Sequence, residues 1–318
     1  MTDVVEENFK VINRKIAFIA GLLIIVLLLV EISSGNLKRH TTALMHEVKM
    51  QWRDMNNRSL PGLEGEGILL MDEDTGDILF SINDTERLYP ASTTKILTAL
   101  ITLEKGDPND LITVGSEVHL RTPGESSAGL KQGQKLRLKD LVAAMLLPSG
   151  NDAARTAARY IARMDSGHSM SPEESEVYFA GLMNTRAKEL GAEASHFVNP
   201  HGLHDPNHYS TAKDMAMIAQ AAMRNKNFRS IVAEQKHTAA LSNISFSNRN
   251  KLIQRGGEYY FQGADGIKTG FTDEAGYCLV ASASRNGRNL ISVVLHSSAE
   301  GVWKDSSKLL EYGFKLKL

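Results

Sequence analysis

The sequence predicts an α+β fold of the layered α/β type, in which helices flank an antiparallel sheet and an all-helical lobe is inserted. Segments typical of strands lie near both ends of the body, and segments typical of helices lie between them. Turn residues such as Asn286-Gly287 join neighbouring strand segments in the manner of hairpins. A sheet assembled from both ends of the body, around an inserted helical lobe, explains this order.

The N-terminal region is predicted to lie outside the globular body. Residues 16–32 are nearly all apolar and follow several basic residues, so their length falls between a signal-peptide core and a membrane span of about 17–25 residues. We expect residues 1–35 to be a cytoplasmic tail with a membrane anchor, or alternatively a cleaved signal peptide. Both alternatives place the remaining chain outside the cytoplasm. Residues 36–62 are predicted to form a linking stalk with an amphipathic helix.

The elements of the body, residues 63–318, follow from hydrophobic periodicity and turn residues. Strands are predicted at residues 67–72, 78–81, 111–114, 263–269, 276–284 and 289–297. Helices are predicted from residue 92 to a stop at Gly106, then at 139–147, 152–164, 172–190, 211–224 and 301–314. Residues 115–138 are glycine-rich and are expected to be mostly loop. The helical lobe is therefore expected at about residues 138–225.

Composition and charge narrow the class of protein. The 318 residues are 42% hydrophobic with a formal net charge of −1, which is typical of a globular protein and does not favour nucleic-acid binding through bulk charge. Cys278 is the only cysteine, which excludes an intramolecular disulfide and a cysteine-based zinc cluster. Its neighbours are apolar, so we expect it to be buried in a strand.

One stretch, Pro90-Ala91-Ser92-Thr93-Thr94-Lys95, stands before an apolar helical segment. Ser92 and Lys95 are three residues apart, and on a helix their side chains share a face. A serine hydroxyl needs a nearby base to become a nucleophile, and a lysine can be that base only when its pKa is lowered. Taken alone, the spacing is common and also describes a helix-capping serine with a solvated lysine.

Two later stretches change this interpretation. Ser149-Gly150-Asn151 lies between two predicted helices, and Lys268-Thr269-Gly270 lies at the end of a predicted strand. Each alone is an ordinary loop or turn. In this order, S-x-x-K, S-x-N and K-T-G form the motif set of active-site serine penicillin-binding proteins and serine β-lactamases.

The residues around these motifs sharpen the match. They include Leu147-Pro148-Ser149-Gly150-Asn151-Asp152, Asp265-Gly266-Ile267-Lys268-Thr269-Gly270-Phe271-Thr272 and Asn199-Pro200-His201-Gly202-Leu203. From about residue 66 to residue 303, the sequence resembles the serine-type D-alanyl-D-alanine carboxypeptidases, the low-molecular-mass penicillin-binding proteins. The middle motif is S-G-N where the familiar form is S-D-N. Many members carry a further C-terminal domain and membrane helix, so here anchoring is expected to fall to residues 16–32.

The resemblance implies a catalytic role for three residues. Ser92 would attack the carbonyl of the penultimate D-alanine, and Lys95 would take the hydroxyl proton. Ser149, between Lys95 and Lys268, would relay the proton to the departing D-alanine. Water would then hydrolyse the acyl-enzyme.

The resemblance also implies a substrate-binding set. Asn151 would bind the substrate backbone, Lys268 and Thr269 would hold the terminal carboxylate, and Gly270 would let substrate approach the strand edge. The backbone N–H groups of Ser92 and Phe271 would form the oxyanion hole. The expected partners are a peptidoglycan pentapeptide ending in D-Ala-D-Ala and β-lactam antibiotics, with no metal or other cofactor.

Four alternatives remain open on the sequence. A peptidoglycan DD-endopeptidase would use the same catalytic residues. A β-lactamase is disfavoured because no E-x-x-L-N stretch follows Asn151 to supply a deacylating glutamate. A non-catalytic β-lactam sensor would be expected to lack one of the motif residues. A metal site is suggested by the crowding of histidines and an aspartate on one loop, at His196, His201, His204, Asp205 and His208.

Overall fold

The structure is a computed structural model that describes residues 60–316. The predicted anchor at residues 16–32 and nearly all of the predicted stalk lie outside the described residues. The predicted domain boundaries therefore stay predictions. Within residues 60–316, no helix is both long enough and apolar enough to cross a membrane.

The described chain contains strands β1 (Gly67–Asp72), β2 (Ile78–Ile82), β3 (Leu111–Thr113), β4 (Lys135–Arg137), β5 (Lys236–Ala239), β6 (Ile244–Ser247), β7 (Ala264–Thr272), β8 (Gly276–Arg285) and β9 (Arg288–Ser297). Five of them form the main sheet in the order β2-β1-β9-β8-β7, and every neighbouring pair is antiparallel. The N-terminal hairpin thus joins the C-terminal strands, as the order of elements along the sequence predicts.

The predicted turn between β8 and β9 is confirmed. Asn286 and Gly287 both have positive φ angles, 52° and 79°. This backbone matches the right-handed twist of the flanking strands, and Asn-Gly is the pair that adopts it at least cost. The turn sets the register in which β8 and β9 pair.

The helices are α1 (Lys95–Lys105), α2 (Leu138–Leu146), α3 (Asn151–Ser166), α4 (Pro172–Glu189), α5 (Ala212–Arg224), α6 (Lys226–Val232) and α7 (Gly301–Lys315). Helix α1 is buried from Lys95 to Leu103, as its apolar sequence predicts. It lies among α2, α3, α4 and α5, in the interior of the helical layer.

The sheet separates two hydrophobic cores because its side chains alternate between its faces. Leu69 and Val293 belong to the core shared with the inserted helices, whereas Leu70 and Val294 belong to the core beneath α7. Cys278 is buried in β8, which confirms its predicted position. The result is a layered arrangement with α7 on one face of the sheet and the helical lobe on the other.

Three local predictions differ from the structure. Ser92 does not lie in an α-helical turn, because Ala91–Thr94 form a 3₁₀ helix and α1 begins only at Lys95. No side chain caps either start; the hydroxyls of Ser92, Thr93 and Thr94 are engaged by Lys95, Pro90 and His208 instead.

The other two differences concern short elements. The segment expected to be loop contains a 3₁₀ helix at Ser116–Leu120 and strand β4, which pairs with β3. Helix α6 was not predicted, because its seven residues are too few to establish a helical period. Its start is fixed by the Asn225 side chain, which accepts hydrogen bonds from the backbone N–H groups of Asn227 and Phe228.

Candidate active site

The first motif places a hydroxyl beside a buried amine. Ser92 lies in the 3₁₀ helix and Lys95 begins α1, and Lys95 Nζ is 2.8 Å from Ser92 Oγ. Lys95 is fully buried, and its Nζ also donates to the carbonyl oxygen of His201 at 2.6 Å. The amine is therefore held between the serine hydroxyl and a backbone acceptor.

The environment of Lys95 disfavours its charged form. Burial lowers the pKa of Lys95 well below its ordinary value, and the positive charge of Lys268 lowers it further. Glu125 acts in the opposite direction but does not reverse the shift. A neutral amine at hydrogen-bond distance from a hydroxyl can accept the hydroxyl proton.

The second motif lies at the start of α3. Ser149 is buried with a positive φ of 67°, and Asn151 is the first residue of the helix. The Oδ1 atom of Asn151 is buried without a hydrogen-bond partner among the described residues. Within residues 60–316, the Ser149 hydroxyl makes no hydrogen bond to Lys95 or Lys268. Its role as a proton relay between them therefore stays a prediction.

The third motif lies on β7, at the edge of the main sheet. Lys268 is buried, its Nζ donates to the carbonyl oxygen of Thr269 at 2.7 Å, and burial together with the positive charge of Arg249 lowers its pKa to about 7. Phe271 is about half exposed and its ring lies 4.5 Å from that of Tyr277.

The structure shows why a glycine is needed at position 270, and this reason was not predicted from the sequence. A Cβ atom added to Gly270 would lie 3.0 Å from the carbonyl oxygen of Pro90 and 3.1 Å from the backbone nitrogen of Ser92. The glycine therefore lets β7 pack against the backbone that carries Ser92. Only a residue without a side chain permits this approach at no cost.

The three motifs meet at one cavity of about 590 Å³. The predicted site residues that line it are Ser92, Ser149, Asn151, Thr269, Gly270 and Phe271. Lys95 and Lys268 are not in its lining and lie buried behind it. All eight predicted positions are thus either in the cavity wall or directly behind it.

Sequence reasoning missed part of this wall. Arg249 and residues 122–126 line the cavity, and Arg249 donates to the Ser126 hydroxyl at 2.8 Å. Arg249 lies between short elements and has no local pattern that marks it. Its position beside the cavity depends on contacts between segments that are distant in sequence. No pattern in the neighbouring residues could have identified it.

The histidine-rich loop serves as packing around the serine. Asn199 Oδ1 accepts the Gly202 N–H at 2.7 Å, and a Cβ on Gly202 would collide with the Ala91 carbonyl. His208 is buried and bonded to Thr94 Oγ1, and burial lowers its pKa to about 3. Among residues 60–316, no group of three metal-ligating side chains is arranged to hold a metal ion.

The fold and the site define a class: an antiparallel sheet with an inserted helical lobe and a serine–lysine pair at its centre is the arrangement of the active-site serine DD-peptidases and β-lactamases. The sequence profile of one family, described as D-alanyl-D-alanine carboxypeptidase, matches residues 54–299. The chain belongs to this family, as its motifs predict.

Characterised relatives agree with this assignment. The chain is 34% identical to D-alanyl-D-alanine carboxypeptidase DacF of Bacillus subtilis, over 79% of this chain and 62% of the relative. It is 34% identical to DacC of Escherichia coli, over 80% of this chain and 62% of the relative. The chain thus spans about 62% of the length of these relatives.

Solved structures agree on the fold. The crystal structure of the Streptomyces K15 DD-transpeptidase superimposes with a TM-score of 0.74 at 31% identity, covering 81% of this chain and all of that one. Penicillin-binding protein 6B of Escherichia coli gives a TM-score of 0.70 at 31% identity, covering 81% of this chain and 79% of that one. The predicted fold class is confirmed.

Proposed function

We propose that this protein is a serine-type D-Ala-D-Ala carboxypeptidase that removes the terminal D-alanine from peptidoglycan stem peptides. One observation carries the proposal: a buried lysine with a strongly lowered pKa lies 2.8 Å from the hydroxyl of Ser92, at the wall of the cavity. The names of the relatives support the substrate class.

The reaction would proceed through an acyl-enzyme. Ser92 Oγ forms an ester bond with the carbonyl carbon of the penultimate D-alanine while Lys95 takes the hydroxyl proton. The peptide C–N bond then breaks, and the departing D-alanine nitrogen receives a proton through Ser149. Water then adds to the ester: its oxygen stays with the shortened peptide as part of the new carboxyl group, and one of its protons passes to Ser92 Oγ as the ester bond breaks.

The binding roles follow from the same cavity. Asn151 lines the cavity, and its Oδ1 has no hydrogen-bond partner among the described residues, which supports a hydrogen bond to a backbone N–H of the substrate. Lys268 and Thr269 would hold the terminal carboxylate, and Gly270 and Phe271 form the edge along which the peptide extends. A bound carboxylate favours the charged form of Lys268, whose pKa is only about 7 in the free protein.

A β-lactam would acylate the same serine and be released slowly. Glu125 is the buried carboxylate of the cavity wall. Burial acts to raise its pKa, but hydrogen bonds from Arg155 and Thr122 outweigh this and lower it. Because Arg155 and Thr122 occupy the carboxylate oxygens, Glu125 is poorly placed to activate water for rapid β-lactam hydrolysis.

The protein is proposed to act outside the cytoplasm, on the cell wall, held to the membrane by residues 16–32. The apolar sequence of this segment supports the anchor. Membrane fractionation of the full chain and of a form lacking residues 1–35 tests it. We expect only the full chain to sediment with membranes.

The deciding experiment is intact-protein mass spectrometry with benzylpenicillin over hours, followed by an assay of D-alanine release. We expect a long-lived adduct on Ser92, release of D-alanine from a pentapeptide, and loss of both in Ser92→Ala with folding retained. Rapid turnover of the adduct would instead indicate a β-lactamase. Cleavage of cross-linked dimers without D-alanine release would indicate an endopeptidase, and no reaction would indicate a sensor.

A further inference from the structure

A cluster of buried charged side chains lies behind the cavity, next to Lys95. Arg155 of α3 is 4% exposed and binds Glu125 through two hydrogen bonds, of 2.5 and 3.0 Å. Its Nε donates to Glu176 of α4 at 3.0 Å. Arg155 therefore joins the cavity wall to α4, and one cation serves two carboxylates.

Glu176 also faces the ring of His201. His201 Nε2 lies 3.4 Å from Glu176 Oε2, and His201 Nδ1 accepts the backbone N–H of Leu203 at 3.2 Å. Burial lowers the pKa of His201 although the Glu176 carboxylate acts in the opposite direction, and this shift favours the neutral ring. Because Nδ1 is an acceptor, the ring hydrogen is on Nε2, the nitrogen that faces the carboxylate at 3.4 Å. The ring thus lies between the backbone N–H of Leu203 and the carboxylate of Glu176.

The backbone of the same histidine contacts Lys95. A neutral amine has two N–H donors and one lone pair, and the His201 carbonyl takes one of these donors at 2.6 Å. This bond fixes the rotation of the amine about its last carbon–nitrogen bond. The lone pair can then be directed at Ser92 Oγ, 2.8 Å away. Misplacing a reacting group by about 1 Å can cost about 100-fold in rate.

We propose that Glu176 is a positioning residue for Lys95. It holds the His201 ring, and through it the His201 carbonyl, so that the lone pair of Lys95 faces the hydroxyl of Ser92. The inference rests on the proposed acylation of Ser92. It assigns a role to a carboxylate outside all three motifs, one that touches neither substrate nor Ser92.

The charges around Lys95 determine the sign of a pH effect. The titratable and charged groups facing it are Lys268, Glu125, Arg155, Arg249, His201 and His208. Removing the Glu176 carboxylate leaves Arg155 less compensated and frees the His201 carbonyl to move. Both changes disfavour the ammonium form, so they lower the pKa of Lys95 further.

The test compares Glu176→Ala and Glu176→Gln with the control Glu117→Gln in the full chain. Glu117 is a more deeply buried carboxylate, with a side chain 1% exposed against 19% for Glu176. It pairs with Arg159 of α3 at 2.7 Å and accepts from Thr156, but does not contact His201. The measurement is the rate constant for acylation of Ser92 by benzylpenicillin against pH, by mass spectrometry, normalised to the fraction of folded protein.

For Glu176→Ala we expect a fall of about 10–100-fold in the pH-independent acylation rate, with the acidic limb of the profile displaced to lower pH. Glu176→Gln keeps an acceptor for the His201 ring and should recover part of the rate. Glu117→Gln should stay within about twofold of the parent with an unmoved limb, since the buried Glu117–Arg159 pair contacts neither His201 nor Lys95 and acts on stability alone.

Two results would overturn the inference. One is a Glu176→Ala profile of unchanged shape whose lower amplitude follows the folded fraction alone. The other is equal behaviour of the Glu176 and Glu117 variants. Failure of the parent chain to label at Ser92 is a separate result, because it would contradict the proposed function itself.

Discussion

At the scale of single residues, the site depends on burying two lysines close together. Desolvation disfavours each ammonium, and Lys268 adds a repulsive charge beside Lys95. The outcome differs for the two: the pKa of Lys95 falls well below its ordinary value, whereas that of Lys268 falls to about 7. A neutral base and a titrating carboxylate binder can therefore coexist.

Substrate affinity is predicted to decline as pH rises through about 7, the pKa of Lys268 in the free protein. Lysine is cationic below its pKa, and the proposed carboxylate contact needs that charge. The measurement is KM for a peptide ending in D-Ala-D-Ala, from well below to well above this pH. Lys268→Arg, which stays charged throughout, should flatten the dependence, and a flat profile in the parent would contradict the role of Lys268.

Gly270→Ala is predicted to slow acylation about 10–100-fold while the protein remains folded. The added Cβ would press on Pro90 O and Ser92 N, at 3.0 and 3.1 Å, and displace the nucleophile. Penicillin labelling kinetics measure the effect. Gly181→Ala is the control, because a Cβ there meets nothing within 4 Å. Equal rates for the two variants would argue against this packing constraint.

At the scale of elements, helix starts are decided by what else the capping residues contact. Helix α4 has a complete capping box: Ser171 accepts from the Glu174 N–H, Glu174 reaches back to the Ser171 N–H, and Pro172 occupies the first turn. The start of α1 lacks such a cap because the nearby hydroxyls serve the site. Helix α1, which carries Lys95, therefore lacks the stabilising side-chain cap that α4 has.

Ser171→Ala is predicted to cost about 1 kcal/mol of unfolding free energy, equivalent to about 2–4 °C in Tm for a domain of this size. The cause is the loss of an acceptor for the first turn of α4. Thermal denaturation measures it, with Ser171→Asp as the control that retains an acceptor. Penicillin labelling should be unchanged, and a Tm equal to the parent's would show that the cap contributes nothing.

At the scale of the whole molecule, the main sheet is complete only when the N-terminal and C-terminal strands of the described chain pair with each other. Strand β1 pairs with β9, and α7 packs on β8 and β9. Asp305 of α7 also accepts the N–H groups of Glu64 and Gly65, at 2.8 and 2.9 Å. These contacts join segments that are distant in sequence. They hold α7 against β8 and β9, and β8 in turn pairs with β7, the strand in the cavity wall.

Leu309→Ala, in the core beneath α7, is predicted to lower the unfolding free energy by about 2–5 kcal/mol. Leu309 is fully buried, so the change leaves a cavity against the sheet. Denaturant titration followed by circular dichroism measures the loss, with Val177→Ala as the control, since Val177 is 72% exposed. Similar losses in the two variants would contradict the packing of α7.

The amino-acid sequence by itself determined the family, the fold class, the five strands of the main sheet and every α-helix of the described chain except α6. Those properties follow from local patterns in the sequence: the hydrophobic periodicity, the Asn286-Gly287 turn, and three short motifs in a fixed order. Gly270 was predicted to matter for the approach of substrate. Its packing against the backbone of Pro90 and Ser92 was not predicted, because those residues are more than a hundred positions away in the sequence.

Only the tertiary structure decided what surrounds the catalytic pair. Arg249, Glu125 and Arg155 come from separate parts of the chain and converge on Lys95 and its cavity, and Glu176 of α4 pairs with Arg155 behind them. None of them has a local signature, since an arginine or glutamate in a helix or loop is usually solvated. Burial and charge proximity are properties of the folded chain. For that reason a motif could identify the lysine, whereas the cause of its lowered pKa had to be read from the packing around it.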